Sequence, residues 1–100
     1  MRLDVSVGSE VEAAIASHPG VALAAVVGRR RAGNEEVVAF VQPRAGAAPS
    51  VDELSAYVAE RLASYKRPAE YILRAALPVT AAGKIRKQEL RTELEGGAAP

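Results

Sequence analysis

Residues 21–42 read VALAAVVGRRRAGNEEVVAFVQ, two apolar runs that flank a short polar segment. The first run, 21–27, is continuously apolar, which is typical of a strand that is covered on both faces. The second run, 36–42, is rich in β-branched residues and predicts the second strand of a hairpin, with its loop tip at 28–34. We therefore expect these two strands to form the first part of a sheet.

Helix signals lie on both sides of this hairpin. Upstream, Ser9-Glu10-Val11-Glu12 fits a capping box, in which the serine hydroxyl and a glutamate three residues later satisfy the first backbone N–H groups. Pro19-Gly20 should end that helix. Downstream, Ser50-Val51-Asp52-Glu53 repeats the signal, and we expect the second helix to end at Tyr65-Lys66-Arg67-Pro68, because a residue before proline is disfavoured in the α conformation. One stripe of the second helix should pack on the protein: Leu54, Tyr57, Val58, Arg61 through its aliphatic stem, and Leu62.

The remainder of the chain predicts one more strand and one more helix. Residues 71–73 are the best third strand, and 87–93 form a final short helix. The order helix, strand, strand, helix, strand, helix favours an α+β fold, with a small, largely antiparallel three-stranded sheet and helices packed against it. We expect one domain at 9–94, an atypical leader at 1–8 and a flexible tail at 95–100.

Composition excludes several classes of protein. The chain has 100 residues, 49% hydrophobic and 25% charged, which indicates a globular domain. Thirteen basic residues balance twelve acidic ones, so charge does not indicate binding to nucleic acid or to a membrane surface. The longest apolar run is too short to span a bilayer, and no signal peptide is visible. The chain has no cysteine, so we expect no thiolate metal site, no metal ion and a cytoplasmic location.

The best candidate for chemistry is a lysine on a glycine turn within residues 77–91. Gly83 can adopt a positive φ angle without steric cost, so the turn can direct the next side chain, Lys84, outward. Arg86 and Lys87 make the surroundings cationic, which would attract a polyphosphate. From physical chemistry alone, an exposed lysine on a surface turn remains the simpler interpretation.

Other candidate residues have simpler interpretations beside a functional one. His18, the only histidine, stands before Pro-Gly and is better explained as a helix cap or surface residue than as a catalyst. Arg29-Arg30-Arg31 is either a solvated hairpin tip or a patch that binds anions. Lys66 is either a cation stabilised by the dipole at a helix C-terminus or a residue that contacts phosphate.

The segment 77–91, LPVTAAGKIRKQELR, resembles the last core motif of the AMP-forming adenylating enzymes. That superfamily includes acyl-CoA synthetases, the adenylation domains of nonribosomal peptide synthetases, and luciferases. Three further stretches are similar to the family in order and spacing. Residues 10–21 resemble the helix and turn that open its small C-terminal domain, 25–41 resemble its central hairpin, and 62–68 resemble the segment before its catalytic loop. The resemblance covers about residues 9–94.

The resemblance implies a two-step ligase. A carboxylate attacks the α-phosphate of ATP and releases pyrophosphate, and a thiol of coenzyme A or of a phosphopantetheine carrier then displaces AMP. It implies that Lys84 contacts the carboxylate and the α-phosphate in the first step only, with Thr80 and Gly83 supporting its loop. The family's small domain then rotates as a rigid body and withdraws the lysine. Further candidates for contacts to phosphate or coenzyme A are Lys66, Arg86 and Lys87.

The resemblance also implies a partner. The family's large domain, which binds ATP, Mg²⁺ and the acid, should be supplied in trans or by a parent chain, and a carrier protein is a further candidate partner. By itself, this chain should bind no cofactor and be inactive. Two departures stand out: residues 1–9, with Val7-Gly8-Ser9, replace the usual hinge region, and Ala81-Ala82 replace a larger or polar pair.

Three hypotheses follow. The first is the mobile catalytic lid of such a ligase, with Lys84 as its catalytic residue. The second is a free-standing, non-catalytic interaction or regulatory module derived from that lid. The third is a small anion-binding domain that uses Arg29 to Arg31. We adopt the first as our prediction.

Overall fold

A computed structural model describes residues 5–31 and 33–94. The predicted tail at 95–100 and the first four residues of the predicted leader lie outside this described part. The order of elements agrees with the α+β prediction, with one added 3₁₀ turn. The elements are α1 (Val5–Ala16), β1 (Val21–Arg31), β2 (Asn34–Pro43), α2 (Val51–Ala59), the 3₁₀ turn (Ser64–Lys66), β3 (Glu70–Leu73) and α3 (Lys87–Thr92).

The three strands form one sheet in the order β1-β2-β3, so β2 is the central strand. β1 and β2 pair antiparallel as a hairpin, which confirms the prediction from the two apolar runs. β3 pairs with β2 in parallel, with Val38 opposite Glu70 and Phe40 opposite Ile72. The sheet is therefore antiparallel in its longer pairing and parallel at β3. The parallel pairing arises because α2 and the 3₁₀ turn carry the chain back across the sheet before β3 begins.

The hairpin is covered on both faces, as its apolar runs predict. Successive side chains of a strand point to opposite faces, so each strand contributes to two separate clusters. α1 and α2 cover the first face, where the buried cluster contains Val11, Ile15, Val21, Ala24, Val26, Ala39, Val41, Leu54, Val58 and Leu62. α3 and the segment before it cover the second face, where the buried cluster contains Ala25, Val27, Val38, Phe40, Leu77 and Leu90.

The second helix begins at the predicted cap. Ser50 has extended backbone angles of φ −84° and ψ 163°, and its side chain accepts from the Glu53 N–H. The prediction that this helix ends at 65–68 is wrong, because α2 ends at Ala59. The Arg67 guanidinium stabilises the earlier end, since it donates to the carbonyls of Ala59 and Leu62, each at 3.0 Å.

The predicted stripe of α2 is buried only in part. Leu54, Val58 and Leu62 are buried, as expected. Tyr57 is half-buried, whereas Arg61 is exposed. The Arg61 guanidinium lies 3.5 Å from the centre of the Tyr57 ring. Arg61 therefore makes a cation–π contact at the surface and does not extend the apolar stripe.

The first helix begins earlier than the capping box predicts. α1 begins at Val5, so Ser9 lies inside the helix, and the predicted boundary at Ser9 is wrong. Glu12 does not cap this helix, because its carboxylate accepts from the Val26 N–H of β1 at 2.7 Å. A tertiary contact thus replaces the local hydrogen bond on which the prediction rested. The helix does end at Ala16, before Pro19-Gly20, as expected.

The hairpin turn is shorter than the predicted loop tip at 28–34. β1 continues to Arg31 and β2 begins at Asn34, with Arg29 opposite Glu36 in the register. Gly33 has a φ angle of 83°, which glycine adopts without the steric cost of a side chain. The backbone of Arg29, Arg30 and Arg31, which were expected in the loop, is therefore part of β1.

No helix within residues 5–31 and 33–94 combines the length and the apolar character that crossing a bilayer requires.

We predict that Ser50→Ala lowers the free energy of unfolding by about 1 kcal/mol, because the first turn of α2 loses a side-chain acceptor. Urea denaturation measures this change. Ser55→Ala is the matched control, since Ser55 is exposed inside the same helix. Alanine favours a helix interior, so the control should not lose stability. Equal losses for both variants would show that the cap does not stabilise the helix.

Candidate functional site

The predicted lysine turn is a closed backbone loop. Val79 and Ile85 form an isolated antiparallel bridge at its base. Within the loop, the Thr80 N–H donates to the Lys84 carbonyl at 2.7 Å, and the Gly83 N–H donates to the Thr80 carbonyl at 2.9 Å. The Lys84 N–H donates to Thr80 Oγ1 at 3.2 Å. Thr80, at the start of the loop, therefore bonds to Gly83 and Lys84 at its end and holds the backbone of Lys84 in place.

Gly83 has the backbone conformation that the sequence predicts. Its φ angle is 86°, in the left-handed region that other residues adopt at a cost. A Cβ atom built on Gly83 meets no other atom within 4 Å, so space does not restrict this position. The requirement for glycine therefore comes from the backbone angle alone.

The turn stands on the second face of the sheet. At its entry, Leu77 is buried, and its N–H donates to the Gln42 side chain of β2 at 2.8 Å. At its exit, the Arg86 N–H donates to the Pro78 carbonyl at 2.8 Å, and Ile85 packs against the second cluster. Apolar burial and backbone hydrogen bonds thus fix both ends of the turn to the sheet.

Lys84 is exposed at the tip of this anchored turn. Within residues 5–31 and 33–94, no hydrogen bond or ion pair engages its ammonium. A protonated amine in water, held on a fixed backbone, is able to donate hydrogen bonds to an anion that approaches from outside. The structure therefore places Thr80, Gly83 and Lys84 in one hydrogen-bonded turn.

The other three candidate cations are bonded to carboxylates of the chain itself. Arg86 donates to Glu89 at 3.0 Å, one turn along the same segment. Lys66 Nζ lies 2.8 Å from Glu10 Oε1 of α1. Lys87, the first residue of α3, forms an ion pair with Glu12 of α1.

These carboxylate partners were missed by the sequence reasoning. Glu10 and Glu12 were interpreted only as part of a capping box at the start of the first helix. Their lysine partners are far away along the chain, 56 residues in the case of Glu10 and Lys66. No local pattern carries such a signal, because the contact exists only once the sheet has brought the two segments together.

The His18 side chain is buried and bonded to other residues of the fold. It is 7% exposed, its Nδ1 accepts from the Gly20 N–H at 2.9 Å, and its Nε2 lies 2.8 Å from Glu53 Oε2. Because Nδ1 accepts, the proton of the neutral ring is on Nε2, which donates to Glu53. The ring also lies edge-on to Tyr57 at 4.8 Å. The surface position expected for His18 is wrong, because the residue is buried. Its ring bonds to Gly20 and Glu53, and neither bond reaches a carbonyl at the end of α1.

The Arg29 guanidinium of β1 is bonded to carboxylates of the other two strands. One of its terminal nitrogens donates to Glu36 at 2.8 Å and the other donates to Glu70 at 2.6 Å, so it links all three strands. The hydrogen bonds to Glu36 and then to Glu70 raise the pKa of Arg29 above its ordinary value. The single charge of this arginine is shared between two carboxylates of the chain, which disfavours a role for Arg29 in an anion patch.

No cluster of three or more His, Asp or Glu side chains that could hold a metal ion occurs in the part of the chain that the structure describes.

Comparison with known proteins places these features in context. Residues 10–84 match the family described as the AMP-binding enzyme C-terminal domain. The acetyl-coenzyme A synthetase of Gemmatimonas aurantiaca is 42% identical over 93 residues, which cover 89% of this chain and 14% of the synthetase. The fatty acid–acyl-carrier-protein ligase ScoC of Streptomyces coeruleorubidus is 41% identical over 93 residues, which cover 91% of this chain and 18% of the ligase.

A solved structure agrees with these sequence matches. The benzoate CoA ligase from Burkholderia xenovorans LB400 superposes with a TM-score of 0.76 and 40% sequence identity, covering 84% of this chain and 18% of that one. The chain thus spans less than a fifth of the length of each of these three proteins.

We predict that Gly83→Ala lowers the free energy of unfolding by about 1–2 kcal/mol, because alanine is strained at positive φ. Gly83→Asn is the matched control, since asparagine tolerates this conformation better and should retain more stability. Urea denaturation of both variants measures the difference. If alanine is no more destabilising than asparagine, backbone strain does not explain the requirement for glycine at this position.

Proposed function

Because the chain belongs to the family of AMP-binding enzyme C-terminal domains, we propose that it is the mobile lid of an AMP-forming acid–thiol ligase that supplies the catalytic Lys84. The family membership supports a lid domain of such enzymes. The assignment of Lys84 rests on one observation, its exposed ammonium at the tip of an anchored turn.

The geometry of the turn suits electrostatic catalysis. Formation of an acyl-adenylate joins a carboxylate oxygen to the α-phosphorus of ATP and releases pyrophosphate. Negative charge must be stabilised on the phosphoryl oxygens as this bond forms, and a positioned cation does so without further reorganisation. The Lys84 backbone is held by Thr80 through both its N–H and its carbonyl, so only the side chain has to orient.

The large domain would supply the remaining components. We propose that ATP, Mg²⁺ and the acid bind to it, and that this chain acts with it in trans or as part of one longer chain. In the second step, a thiol displaces AMP from the acyl-adenylate. The named relatives include an acetyl-coenzyme A synthetase and a fatty acid–acyl-carrier-protein ligase. We therefore propose that the thiol belongs to coenzyme A or to a phosphopantetheine carrier.

The proposal assigns a different part to the other cations. Lys66, Arg86 and Lys87 are bonded to Glu10, Glu89 and Glu12 respectively. A contact between any of them and a phosphate would require that cation to exchange or share its carboxylate partner. We therefore assign the first-step phosphate contact to Lys84 and treat these three residues as secondary candidates for binding phosphate or coenzyme A.

We predict that Lys84→Ala slows adenylation by roughly 10²–10³-fold, equivalent to about 3–4 kcal/mol of transition-state stabilisation. The chain is combined, in trans or by fusion, with the large domain of an acyl-CoA synthetase from which its own C-terminal domain has been removed. Acid-dependent release of pyrophosphate measures the rate. The chain alone, without the large domain, should release none.

Two further variants serve as controls for this experiment. Arg44→Ala removes an exposed cation outside the turn and should leave the rate within about twofold. Lys84→Arg keeps the charge on a larger, planar group and should recover only part of the rate. If Lys84→Ala supports the same rate as the unaltered chain, the catalytic role is wrong, and a non-catalytic interaction module becomes the better description.

A further inference from the structure

One carboxylate oxygen joins three elements of the fold. Glu12 Oε2 in α1 accepts from the Val26 N–H of β1, with an N···O distance of 2.7 Å. The same oxygen forms an ion pair with Lys87 Nζ, at the first residue of α3. The Glu12 side chain is 22% exposed, so this junction is partly shielded from water.

The hydrogen bond from Val26 fixes where the Glu12 carboxylate lies. β1 is an edge strand, because the sheet order is β1-β2-β3. Val26 is 2% exposed, and its N–H donates to Glu12. A buried backbone N–H without a partner is costly, so this bond holds the carboxylate at the edge of the sheet.

The ion pair connects the two layers around that edge. α1 packs on the first face of the sheet, where Val11 and Ile15 belong to the buried cluster. α3 packs on the second face through Leu90. The sheet separates these two clusters, and the Glu12–Lys87 pair passes around its edge to link α1 with the start of α3.

α3 begins directly after the lysine turn. The Lys87 N–H donates to the Ile85 carbonyl at 3.0 Å, and the Arg86 N–H before it donates to the Pro78 carbonyl at 2.8 Å. Ile85 in turn pairs with Val79 at the base of the turn. Because these backbone bonds connect Lys87 to the turn, the ion pair that holds Lys87 also links the exit of the turn to α1.

We propose that Glu12 is a positioning residue for Lys84: by holding Lys87 at the edge of β1, it sets the place of the turn on the sheet. Glu12 has no bond to Lys84 and touches no reacting group in this scheme. The structural part of the proposal stands by itself, whereas its catalytic consequence rests on the function proposed above for Lys84.

The structural part is tested by amide hydrogen exchange on this chain. Glu12→Gln keeps an oxygen that can accept from Val26 but removes the charge that binds Lys87. We expect faster exchange at the turn amides of Thr80, Lys84 and Arg86, with β1 and β2 unchanged. Unchanged exchange at these turn amides would overturn the proposal.

Glu10→Gln is the matched control for this exchange experiment. It changes the same residue type in the same helix and also removes a lysine partner, but that partner, Lys66, lies in the 3₁₀ turn. Exchange at the lysine turn should therefore remain as in the unaltered chain. If both variants speed exchange equally, the effect belongs to α1 as a whole and the specific role of Glu12 is wrong.

The catalytic consequence is tested with the chain joined to a large adenylating domain. Glu12→Gln should slow acid-dependent pyrophosphate release by up to about 100-fold, because a small displacement of a catalytic group has effects of this size. Transfer from a preformed acyl-adenylate to the thiol should be unchanged, which a general loss of folding would not spare. Equal losses in both steps, or no loss in the first, would overturn the proposal.

Lys84→Ala, measured alongside, separates the two proposals. If it slows adenylation and Glu12→Gln does not, the inference about Glu12 is wrong and the proposed function stands. If Lys84→Ala has no effect, the proposed function fails, and the exchange experiment alone decides whether Glu12 positions the turn.

A double-mutant cycle with Lys87→Met tests whether Glu12 acts through Lys87. If the pair acts as a unit, the double variant should be no slower in adenylation than the slower of the two single variants. If Lys87 instead contacts the substrate independently, the two losses in rate should multiply. That outcome would overturn the route from Glu12 to the turn.

Discussion

Burial of the β1–β2 hairpin on both of its faces is the constraint on which the remaining structure depends. Side chains alternate along a strand, so Ala24 and Val26 belong to one cluster while Ala25 and Val27 belong to the other. Neither face can be left in water without exposing a run of apolar surface. Helices must therefore pack on both sides, with α1 and α2 on the first face and α3 with the lysine turn on the second.

This two-sided packing also explains how the backbone of a short exposed turn is held in place. Leu77 packs the entry to the turn against the second face, and Leu90 packs α3 there. Full burial of a leucine side chain stabilises a fold by about 1.5–3 kcal/mol. The bridge between Val79 and Ile85 closes the base. The backbone at Lys84 is thus anchored to the sheet, which is compatible with the lid role proposed above.

Of the four candidate cations, Lys84 at the tip of the turn is the one without a carboxylate partner within residues 5–31 and 33–94. Lys66 and Lys87 are each held by a glutamate of α1, and Arg86 is held by Glu89. The exposed Arg86–Glu89 pair contributes little to stability, since exposed ion pairs are typically worth about 0–1 kcal/mol. All three pairs also affect the distribution of charge, because they bind cations near the sheet, whereas the Lys84 side chain is exposed to water.

The sequence was sufficient to predict features in which a residue interacts with its neighbours along the chain. The apolar runs determined the hairpin, the Ser50 hydroxyl determined the start of α2, and Gly83 with Lys84 determined the turn. Each of these depends on a hydrophobic pattern, a side-chain acceptor or a backbone angle that can be identified from neighbours in the chain.

Only the tertiary structure decided the features that depend on distant partners. Glu12 binds β1 and α3 and does not cap α1. Arg67 donates to the carbonyl of Ala59, the last residue of α2, and to that of Leu62 beyond it. Arg29 joins three strands. The parallel pairing of β3 likewise follows from the path of the chain through α2. In each case a polar group has several possible partners, and the choice among them is made by which groups the packed sheet brings within hydrogen-bonding distance.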